Sequence, residues 1–502
     1  MACAPYPVAI PIRNVTLSNG IVAPGLEISI GTPPQPLALT VDPVLNNAFI
    51  YGTNGFCGNV TDSPSCRATR GGFYDPELSS SDSQWDNVVA AGGSKTDGDM
   101  DVPSKWASDS LILNDNTTLD NFPIAIAQFG IGGGYEGRSR LSMGENSTLL
   151  NTLKSSQRIL SSTWSIFWGL HGANAPDQSE GIVVLGGYDS AKVQGSSSFT
   201  GSLVNTEVCA TGATVSITGL DVRYPNGTRY SLFDGTGPSN EDALNACLDP
   251  ISPSVMVMPR AYYERLMGSC NCGSETRSFG VDFFNFLYDK SEPTFEGDLV
   301  IGIQNALEIT IPNSQLLIPE VTIGENGQRQ ANASFDELLI NSNQEINLKD
   351  TPKLGRQFLS MAMLMMNHDA GTFTLWPAQP STDQSLVAVG EQGESSKSFC
   401  AASSPTTTAE NGNGKPDPKP EPKPVGAIAG GTVGGVAVLA GFILGAVFLR
   451  RRRRRGTARK TGYHGPSNDP QSPPSYSSEP HGGHEKTNAA VSQEPHAAPW
   501  RS

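Results

Sequence analysis

Two aspartates in similar surroundings are the residues of this 502-residue chain whose types and spacing best suit catalysis. Asp42 ends an apolar run and opens an Asp-Pro-Val triplet, and Asp249, 207 residues later, opens Asp-Pro-Ile. Two carboxylates about 3 Å apart cannot both ionise, so such a pair shares one proton and can act as acid and base. The repeat predicts two homologous lobes that each present one carboxylate. The alternative is that Asp-Pro opens an ordinary turn at both places.

The elements that must position these aspartates are strands. Up to about residue 380, short apolar runs are interrupted by Gly, Pro and Asn every eight to twelve residues, which is the pattern of an all-β fold. We expect a first β lobe over residues 1–195 and a second over residues 196–384. The clearest predicted strands are Ile21–Ile30, Leu37–Val41, Ile124–Phe129, Gly181–Leu185 and Phe373–Trp376.

Composition and charge exclude several classes of protein. Apolar residues make up 37% and charged residues 17% of the chain, which excludes a wholly disordered chain and favours an extracellular all-β domain. The net charge of −15 argues against nucleic acid as a partner. Residues 450–502 carry +6, so the preceding 449 residues carry −21. No cluster of residues in the sequence has metal-ligand spacing, and we expect neither a metal nor another cofactor.

The uncharged stretch Val425–Leu449 predicts a transmembrane helix. At 1.5 Å rise per residue, its 25 residues can cross a hydrocarbon core of about 30 Å. Six arginines, Arg450–Arg455, follow it, and the positive-inside rule assigns them to the cytoplasm. We therefore expect a Pro-rich stalk over residues 385–424, a single span, and a basic, disordered cytoplasmic tail over residues 450–502. The N-terminal domain is expected to be extracellular or lumenal, at the plasma membrane or another membrane of the secretory pathway.

Cysteines and glycosylation signals agree with this topology. All eight cysteines precede the predicted span, as expected in an oxidising compartment, and Cys57 and Cys66 enclose a short loop that a disulfide could close. The first residues have no apolar signal-peptide region, so we expect that a leader precedes them. The candidate glycosylation sites are Asn14, Asn59, Asn116, Asn146, Asn226 and Asn332.

Further motifs accompany the two aspartates in a fixed order. Ser29–Gln35 precedes the first aspartate, and an Asn and an aromatic residue follow it at Asn47 and Phe49. The later motifs are Phe73–Ser80, Gly181–Asp189, Pro259 and Leu354–Leu359. Over about residues 15–380 the chain resembles the pepsin-like aspartic protease family, and it looks most like surface-anchored or secreted fungal members.

That resemblance implies a bilobal, all-β acid protease fold with a peptide or protein in the cleft between the lobes. It also implies catalytic positions for Asp42 and Asp249. The sequence departs from the family at both triplets, because active members carry Asp-Thr-Gly or Asp-Ser-Gly. Proline has no hydroxyl and no N–H, and its φ is fixed near −65°. We therefore expect both lobes to lose donors that orient the carboxylates, and a shift of about 1 Å can reduce a rate about a hundredfold.

Two other stretches bear on the site. Family members carry a tyrosine in the flap that covers the substrate, whereas the corresponding residues 94–103 contain no aromatic residue and three aspartates. Asp234–Gly237, which reads Asp-Gly-Thr-Gly, is an alternative second site, although the apolar run and proline expected after it are missing.

These observations predict a single-pass surface glycoprotein whose aspartic-peptidase-like ectodomain is catalytically impaired and acts as a peptide-binding or sensing module. One alternative is an active endopeptidase that hydrolyses peptide bonds at acidic pH through Asp42 and Asp249. A second alternative is a membrane adaptor. The tail contains the PPxY residues Pro473, Pro474 and Tyr476, and such sequences bind the aromatic groove of WW domains.

Overall fold

A computed structural model describes most of the N-terminal four-fifths of the chain. The described ranges are 3–53, 63–95, 104–127, 137–233, 243–270, 276–292, 295–344 and 347–400. Contacts group Met1–Thr408 into one compact unit. A second unit, Ala409–Ser502, lies outside the described ranges, and so do the predicted span and tail. No helix within the described ranges is long and apolar enough to cross a membrane.

The compact unit is mostly β, with few helices. The strands of its first half are β1 Val8–Thr16, β2 Val22–Ile30, β3 Gln35–Asp42, β4 Ala48–Tyr51, β5 Ser83–Trp85, β6 Ser104–Asn114, β7 Thr117–Ala127, β8 Arg140–Ser142, β9 Thr163–Phe167, β10 Leu170–His171, β11 Gln178–Ser179, β12 Gly181–Leu185 and β13 Gly187–Asp189. The later strands are β14 Phe199–Ser202, β15 Thr214–Arg223, β16 Arg229–Ser231, β17 Leu244–Leu248, β18 Met256–Met258, β19 Phe286–Asp289, β20 Asp298–Ile303, β21 Leu307–Ile311, β22 Leu317–Ile323, β23 Arg329–Leu338, β24 Ile340–Ser342, β25 Lys353–Leu354, β26 Ala362–Asn367, β27 Thr372–Pro377, β28 Leu386–Val389 and β29 Ser395–Ser396.

The helices are short. The α-helices are α1 Pro64–Arg70, α2 Thr148–Ser155, α3 Arg260–Cys270 and α4 Asn313–Leu316, and the 3-10 turns are Pro76–Leu78, Ala175–Asp177, Ser190–Lys192 and Phe358–Ser360. Helix α2 shows why such segments begin where they do. The Ser147 side chain accepts a hydrogen bond from Leu150 N at 3.2 Å, so an N-cap serine satisfies one of the unpaired amides of the first turn.

Two large sheets carry the fold. The first has 13 strands in the order β14-β27-β26-β9-β12-β1-β2-β3-β8-β4-β7-β6-β5, and the second has the path β21-β20-β15-β17-β25-β18-β24 with β16 paired to β15. Strands β9 and β12 are buried along their whole length, as expected for central strands, whereas β15 alternates between buried and partly exposed positions. The predicted apolar runs fall in β2, β3, β7, β12 and β27, as far as the described ranges extend.

The same four-strand pattern occurs twice, once around each aspartate. In the first half β3 pairs in parallel with β8, β8 pairs antiparallel with β4, and β4 pairs in parallel with β7. In the second half β17, β25, β18 and β24 repeat these directions in the same order. The 207-residue echo in the sequence is therefore a structural repeat that ends one strand at each Asp-Pro.

The folded unit extends past residue 384, where we expected the stalk to begin. Strand β28 pairs with β13 at the end of the first half of the chain. A disulfide then joins Cys400 to Cys3, which holds the two ends of the unit together. The apolar run Leu386–Val389 is buried in this pairing, and the polar residues after it are held by strand β29 and by the cross-link.

Candidate functional site

Asp42 is the last residue of β3 and is buried, with 1% of its surface exposed. The strand before it reads Leu-Ala-Leu-Thr-Val and is buried, because β3 lies between β2 and β8 in the sheet. Parallel pairing aligns Asp42 with Ser142 of β8, and Met143 N donates to the Asp42 carbonyl at 2.7 Å. Pairing with β8 therefore fixes the backbone from which the Asp42 carboxylate projects.

The Asp42 carboxylate is held by an arginine of the neighbouring strand. Arg140 Nη1 lies 2.7 Å from Asp42 Oδ2, and the two side chains are 3% and 1% exposed. A pair this well buried is screened little by water, and removing one partner leaves an uncompensated charge. One oxygen of the first aspartate is therefore bound to a cation inside its own lobe.

The second aspartate has a similar but more exposed partner. Asp249 follows β17 and its amide donates to the Leu354 carbonyl at 2.9 Å. Lys353 Nζ lies 3.0 Å from Asp249 Oδ2, with the lysine side chain 43% and the aspartate side chain 16% exposed. Because the lysine reaches solvent, this ion pair is weaker than the buried arginine pair.

The two cations occupy equivalent positions in the repeat. Arg140 lies opposite Thr40, two residues before Asp42, and Lys353 lies opposite Cys247, two residues before Asp249. In each half, the strand that pairs in parallel with the aspartate strand thus supplies a cation to that aspartate.

The prolines do not remove the backbone donors, which corrects the expectation from the sequence. Val44 N and Leu45 N donate to Asp42 Oδ1 at 2.9 and 3.0 Å. Ile251 N donates to Asp249 Oδ1 at 3.2 Å. Proline lacks an N–H at the first position after each aspartate, but the next residue still turns its amide toward the carboxylate.

Each carboxylate therefore has its own set of partners. Oδ1 of each accepts from the backbone of its own loop, and Oδ2 faces its own cation. Among the residues that the structure describes, no hydrogen bond joins Asp42 to Asp249. The described arrangement provides two ion pairs, one for each carboxylate.

A cavity of about 510 Å³ adjoins the loop after the first aspartate. Its walls include Pro43 and Val44 from this loop and Thr211 from the second half of the chain. The Thr211 hydroxyl donates at 2.9 Å to the carbonyl of Leu248, the residue before the second aspartate. This cavity therefore contacts the surroundings of both aspartates and is large enough for a few side chains of a ligand.

His368 lines the same cavity. Its Nε2 lies 2.7 Å from the Met143 carbonyl, and burial lowers the pKa of the imidazole although Glu145 and Asp369 oppose the shift. The imidazole is accordingly neutral at neutral pH and adds no positive charge to the cavity. Within the described ranges no group of three or more His, Cys, Asp or Glu could hold a metal ion.

The base of the predicted flap is tied to the first aspartate loop. The Asn47 side chain accepts from Ser94 N and from the Thr148 hydroxyl, both at 2.8 Å, and donates to the Ser94 carbonyl at 2.8 Å. Residues 96–103 of the flap and the alternative site Asp234–Gly237 lie outside the described residues. The prediction of a flap without its tyrosine stays a prediction.

Disulfides connect two pairs of cysteines that the sequence left unassigned. Cys209 pairs with Cys247, two residues before the second aspartate, and Cys3 pairs with Cys400. Cys66 is disulfide-bonded too, and the expected partner Cys57 lies outside the described residues, so this pairing stays a prediction.

Five of the six candidate glycosylation sites fall in the described ranges. The asparagines at 14, 116, 146 and 226 are exposed, whereas Asn332 is half-buried and its Nδ2 donates to Glu320 Oε2 at 2.7 Å. Asn59 lies outside those ranges. Asn332 is therefore the least accessible of the five, since glycosylation must modify a nitrogen that is already bonded. All six stay predictions.

Sequence reasoning missed the two cations. Arg140 lies 98 residues after its aspartate and Lys353 lies 104 residues after its own, so no local pattern connects them. One signal was present. In both β8 and β25 a basic residue directly precedes a leucine. The second of these leucines is Leu354, where the Leu354–Leu359 motif begins.

A comparison with family models gives an independent result for the same region. The model described as eukaryotic aspartyl protease matches residues 25–321. This range covers more than half of the chain, begins in β2, ends in β22 and contains both Asp42 and Asp249.

Proposed function

Because the chain belongs to the eukaryotic aspartyl protease family, we propose that it binds peptides in the cleft of that fold and has lost most or all proteolysis. The observation that carries this proposal is the separate ion pairing of the two aspartates, Asp42 with Arg140 and Asp249 with Lys353. A peptide as ligand follows from the family, whose fold is built to bind peptide substrates.

The loss of catalysis follows from what aspartic proteolysis requires. Two carboxylates must share one proton, so that one acts as base toward water while the other acts as acid. In this chain one oxygen of each carboxylate is 2.7 or 3.0 Å from a cation of its own lobe. Each cation thus binds an oxygen that a partner carboxylate or the attacking water would need.

Binding without cleavage is tested by retention of intact peptides. A synthetic peptide library of mixed sequence is passed over the immobilised full chain at about pH 4.5 and pH 7, and the retained peptides are weighed by mass spectrometry. We expect a sequence-selected subset at intact mass. Recovery of fragments, or retention no greater than on a column without protein, would contradict the proposal.

An active acid endopeptidase is the second candidate. It is favoured by one observation: both carboxylates are present and still accept backbone amides, Asp42 from Val44 and Leu45 and Asp249 from Ile251. In that case Asp42 and Asp249 hydrolyse peptide bonds at acidic pH. Cleavage that disappears in an Asp42→Asn/Asp249→Asn variant would establish this candidate.

We propose further that the protein is a single-pass surface glycoprotein, with Val425–Leu449 as its span and Arg450–Arg455 on the cytoplasmic side. The supports are the length and lack of charge of this stretch, the arginines after it, and the disulfides of the folded unit, which form in oxidising compartments. Protease added to sealed right-side-out vesicles tests the topology, because the tail should then be inside and should be digested only after detergent is added. Digestion of the tail without detergent would contradict the topology.

The tail offers an interaction of its own. Pro473, Pro474 and Tyr476 form a PPxY sequence, and we propose that it recruits proteins with WW domains to the membrane. Binding of a purified WW domain to the full chain should be lost on Tyr476→Ala. Unchanged binding in that variant contradicts the adaptor role.

A further inference from the structure

The cavity of about 510 Å³ beside the loop after Asp42 has a candidate glycosylation site in its wall. Asn146 lines this cavity together with Pro43 and Val44, and it is also exposed to solvent. A residue that both lines a cavity and is exposed lies at the opening of that cavity. We name this space the aspartate-loop cavity.

Asn146 begins the sequence Asn-Ser-Thr, which is the acceptor signal for N-linked glycosylation. The other candidate asparagines in the described ranges differ from it, because none of them lines the aspartate-loop cavity. They are Asn14, Asn116, Asn226 and Asn332. Asn146 is therefore the described candidate from which a glycan would begin on the wall of this cavity.

The backbone around Asn146 is fixed against the loop that follows Asp42. Asn146 N donates to Asn46 Oδ1 at 2.9 Å, and Thr148 N donates to the Asn46 carbonyl at 2.8 Å. The Thr148 hydroxyl donates to Asn47 Oδ1 at 2.8 Å. These bonds hold the start of α2 to the loop, so a glycan on Asn146 has a fixed origin relative to that loop.

The Asn146 side chain has no partner that a sugar would have to displace. Its carboxamide makes no hydrogen bond to another residue in the described part of the chain, whereas Asn332 Nδ2 is bonded to Glu320. The two residues after Asn146 are buried, with Ser147 1% and Thr148 7% exposed. Because all three residues form the acceptor signal, the glycan must be added before α2 packs on the loop, while the chain is being exported.

The second half of the chain supplies polar groups to the same cavity. The Asn205 carboxamide makes no hydrogen bond to another described residue. The hydrogen-bond contacts of the His368 ring involve Nε2 and leave Nδ1 unbonded within the described ranges. The described lining contains neither lysine nor arginine. Neutral donors and acceptors of this kind suit the hydroxyl and acetamido groups of a sugar.

We propose that an N-linked glycan on Asn146 lies over the opening of the aspartate-loop cavity and limits the size of the ligands that enter it. An N-linked glycan is bulky and begins here on the cavity wall, beside polar groups that can bond its first sugars. The inference rests on the proposed function in one respect, because N-glycosylation takes place in the secretory pathway. It does not depend on whether peptides that reach the cavity are cleaved.

The test measures occupancy and access separately. The full chain is produced with high-mannose glycans in a eukaryotic secretory host, and mass spectrometry of its peptides gives the occupancy of Asn146. Access is measured with Asn205→Cys, whose thiol reacts with a small maleimide or with a maleimide that carries a long polyethylene glycol chain. Relative to the small reagent, we expect the large one to react at least about fivefold more slowly with the glycosylated chain than with Asn146→Gln. Asn226→Gln, which removes another exposed acceptor site, should leave this ratio unchanged.

Endoglycosidase H gives the same comparison without a change at the acceptor site. It trims the folded glycoprotein to one sugar per asparagine, and the large reagent should then react as fast as it does with Asn146→Gln. Equal ratios with and without the glycan would overturn the inference, and so would an unoccupied Asn146 beside an occupied Asn226. A chain with no glycan at any candidate site would contradict the proposed surface glycoprotein as well, so the two failures are distinguishable.

Discussion

At the scale of single residues, each aspartate is matched with a cation from the neighbouring parallel strand. The pair formed by Asp42 and Arg140 is buried, and the pair formed by Asp249 and Lys353 is partly open to solvent. A buried ion pair adds little net stability over an apolar pair of the same shape, but losing one partner is costly. Because of this difference in burial, we expect the loss of the cation to cost more stability in the Asp42–Arg140 pair than in the Asp249–Lys353 pair.

We expect Arg140→Met to destabilise the protein by about 3–5 kcal/mol at pH 7, because Asp42 would be left buried without a counter-charge. The matched change Lys353→Met should cost about 0–1 kcal/mol, since that pair reaches water. Urea unfolding of the full chain measures both. Adding Asp42→Asn to Arg140→Met should recover most of the loss. A similar cost for the two single variants would contradict the assignment.

The sequence identified the aspartates but not their partners, and the reason is physical. An Asp-Pro after an apolar run is a local signal, so Asp42 and Asp249 stand out as candidates beside the alternative of an ordinary turn, and the resemblance to the family implies their catalytic positions. The cations depend on the register between parallel strands, which is set by a long connection and leaves no local pattern. The expected loss of donors is wrong for the backbone, because the amide two residues after each aspartate still reaches the carboxylate, whereas Pro43 and Pro250 do lack the hydroxyl.

At the scale of elements, the repeated four-strand pattern positions the two carboxylates. Strand β17 delivers Asp249, and it is fixed by β15 on one side, by β25 on the other and by the Cys209–Cys247 disulfide near its end. The apolar runs of the sequence predicted strands of the first sheet, namely β2, β3, β7, β12 and β27. The four-residue strand β28 was missed because the residues that flank it in the sequence are polar. Its pairing partner, β13, is also remote in sequence.

Replacing Cys209 and Cys247 together by serine should destabilise the protein by about 3–4 kcal/mol, the loop-closure value for a separation of 38 residues. The loss should be local. Amide hydrogen exchange in Leu244–Leu248 is expected to speed up, whereas the Cys3→Ser/Cys400→Ser variant should leave that strand unchanged. Equal exchange in the two variants would show that the disulfide does not fix β17.

At the scale of the whole molecule, the folded unit buries an acidic group whose ionisation links stability to pH. Glu337 on β23 is 1% exposed, and burial raises its pKa to about 9 from an ordinary value of 4.5. Below pH 4.5 both the folded and unfolded chains hold the proton. Between pH 4.5 and about 9 only the folded chain holds it, so rising pH favours unfolding.

We therefore expect Glu337 to cost the protein up to about 1.4 kcal/mol of stability for each pH unit above pH 4.5, until about pH 9. Glu337→Gln should remove this dependence, so that the variant gains on the natural protein most at pH 8 and not at all below pH 4.5. Denaturant unfolding from pH 4 to pH 8 provides the measurement. Glu207→Gln, which changes an exposed glutamate, is the control. If the free energy of unfolding depends on pH in the same way for Glu337→Gln and for the natural protein, Glu337 is not the group that links stability to pH.

The central claim is that the two aspartates work as separate ion pairs and not as a catalytic pair. Cleavage of a denatured general protein substrate by the purified full chain, scanned from about pH 2.5 to pH 6, tests it directly. The Asp42→Asn/Asp249→Asn variant and a pepstatin-type inhibitor are the controls. The account predicts no cleavage above that of the double variant at any pH. Cleavage by the natural chain that both controls abolish would contradict it.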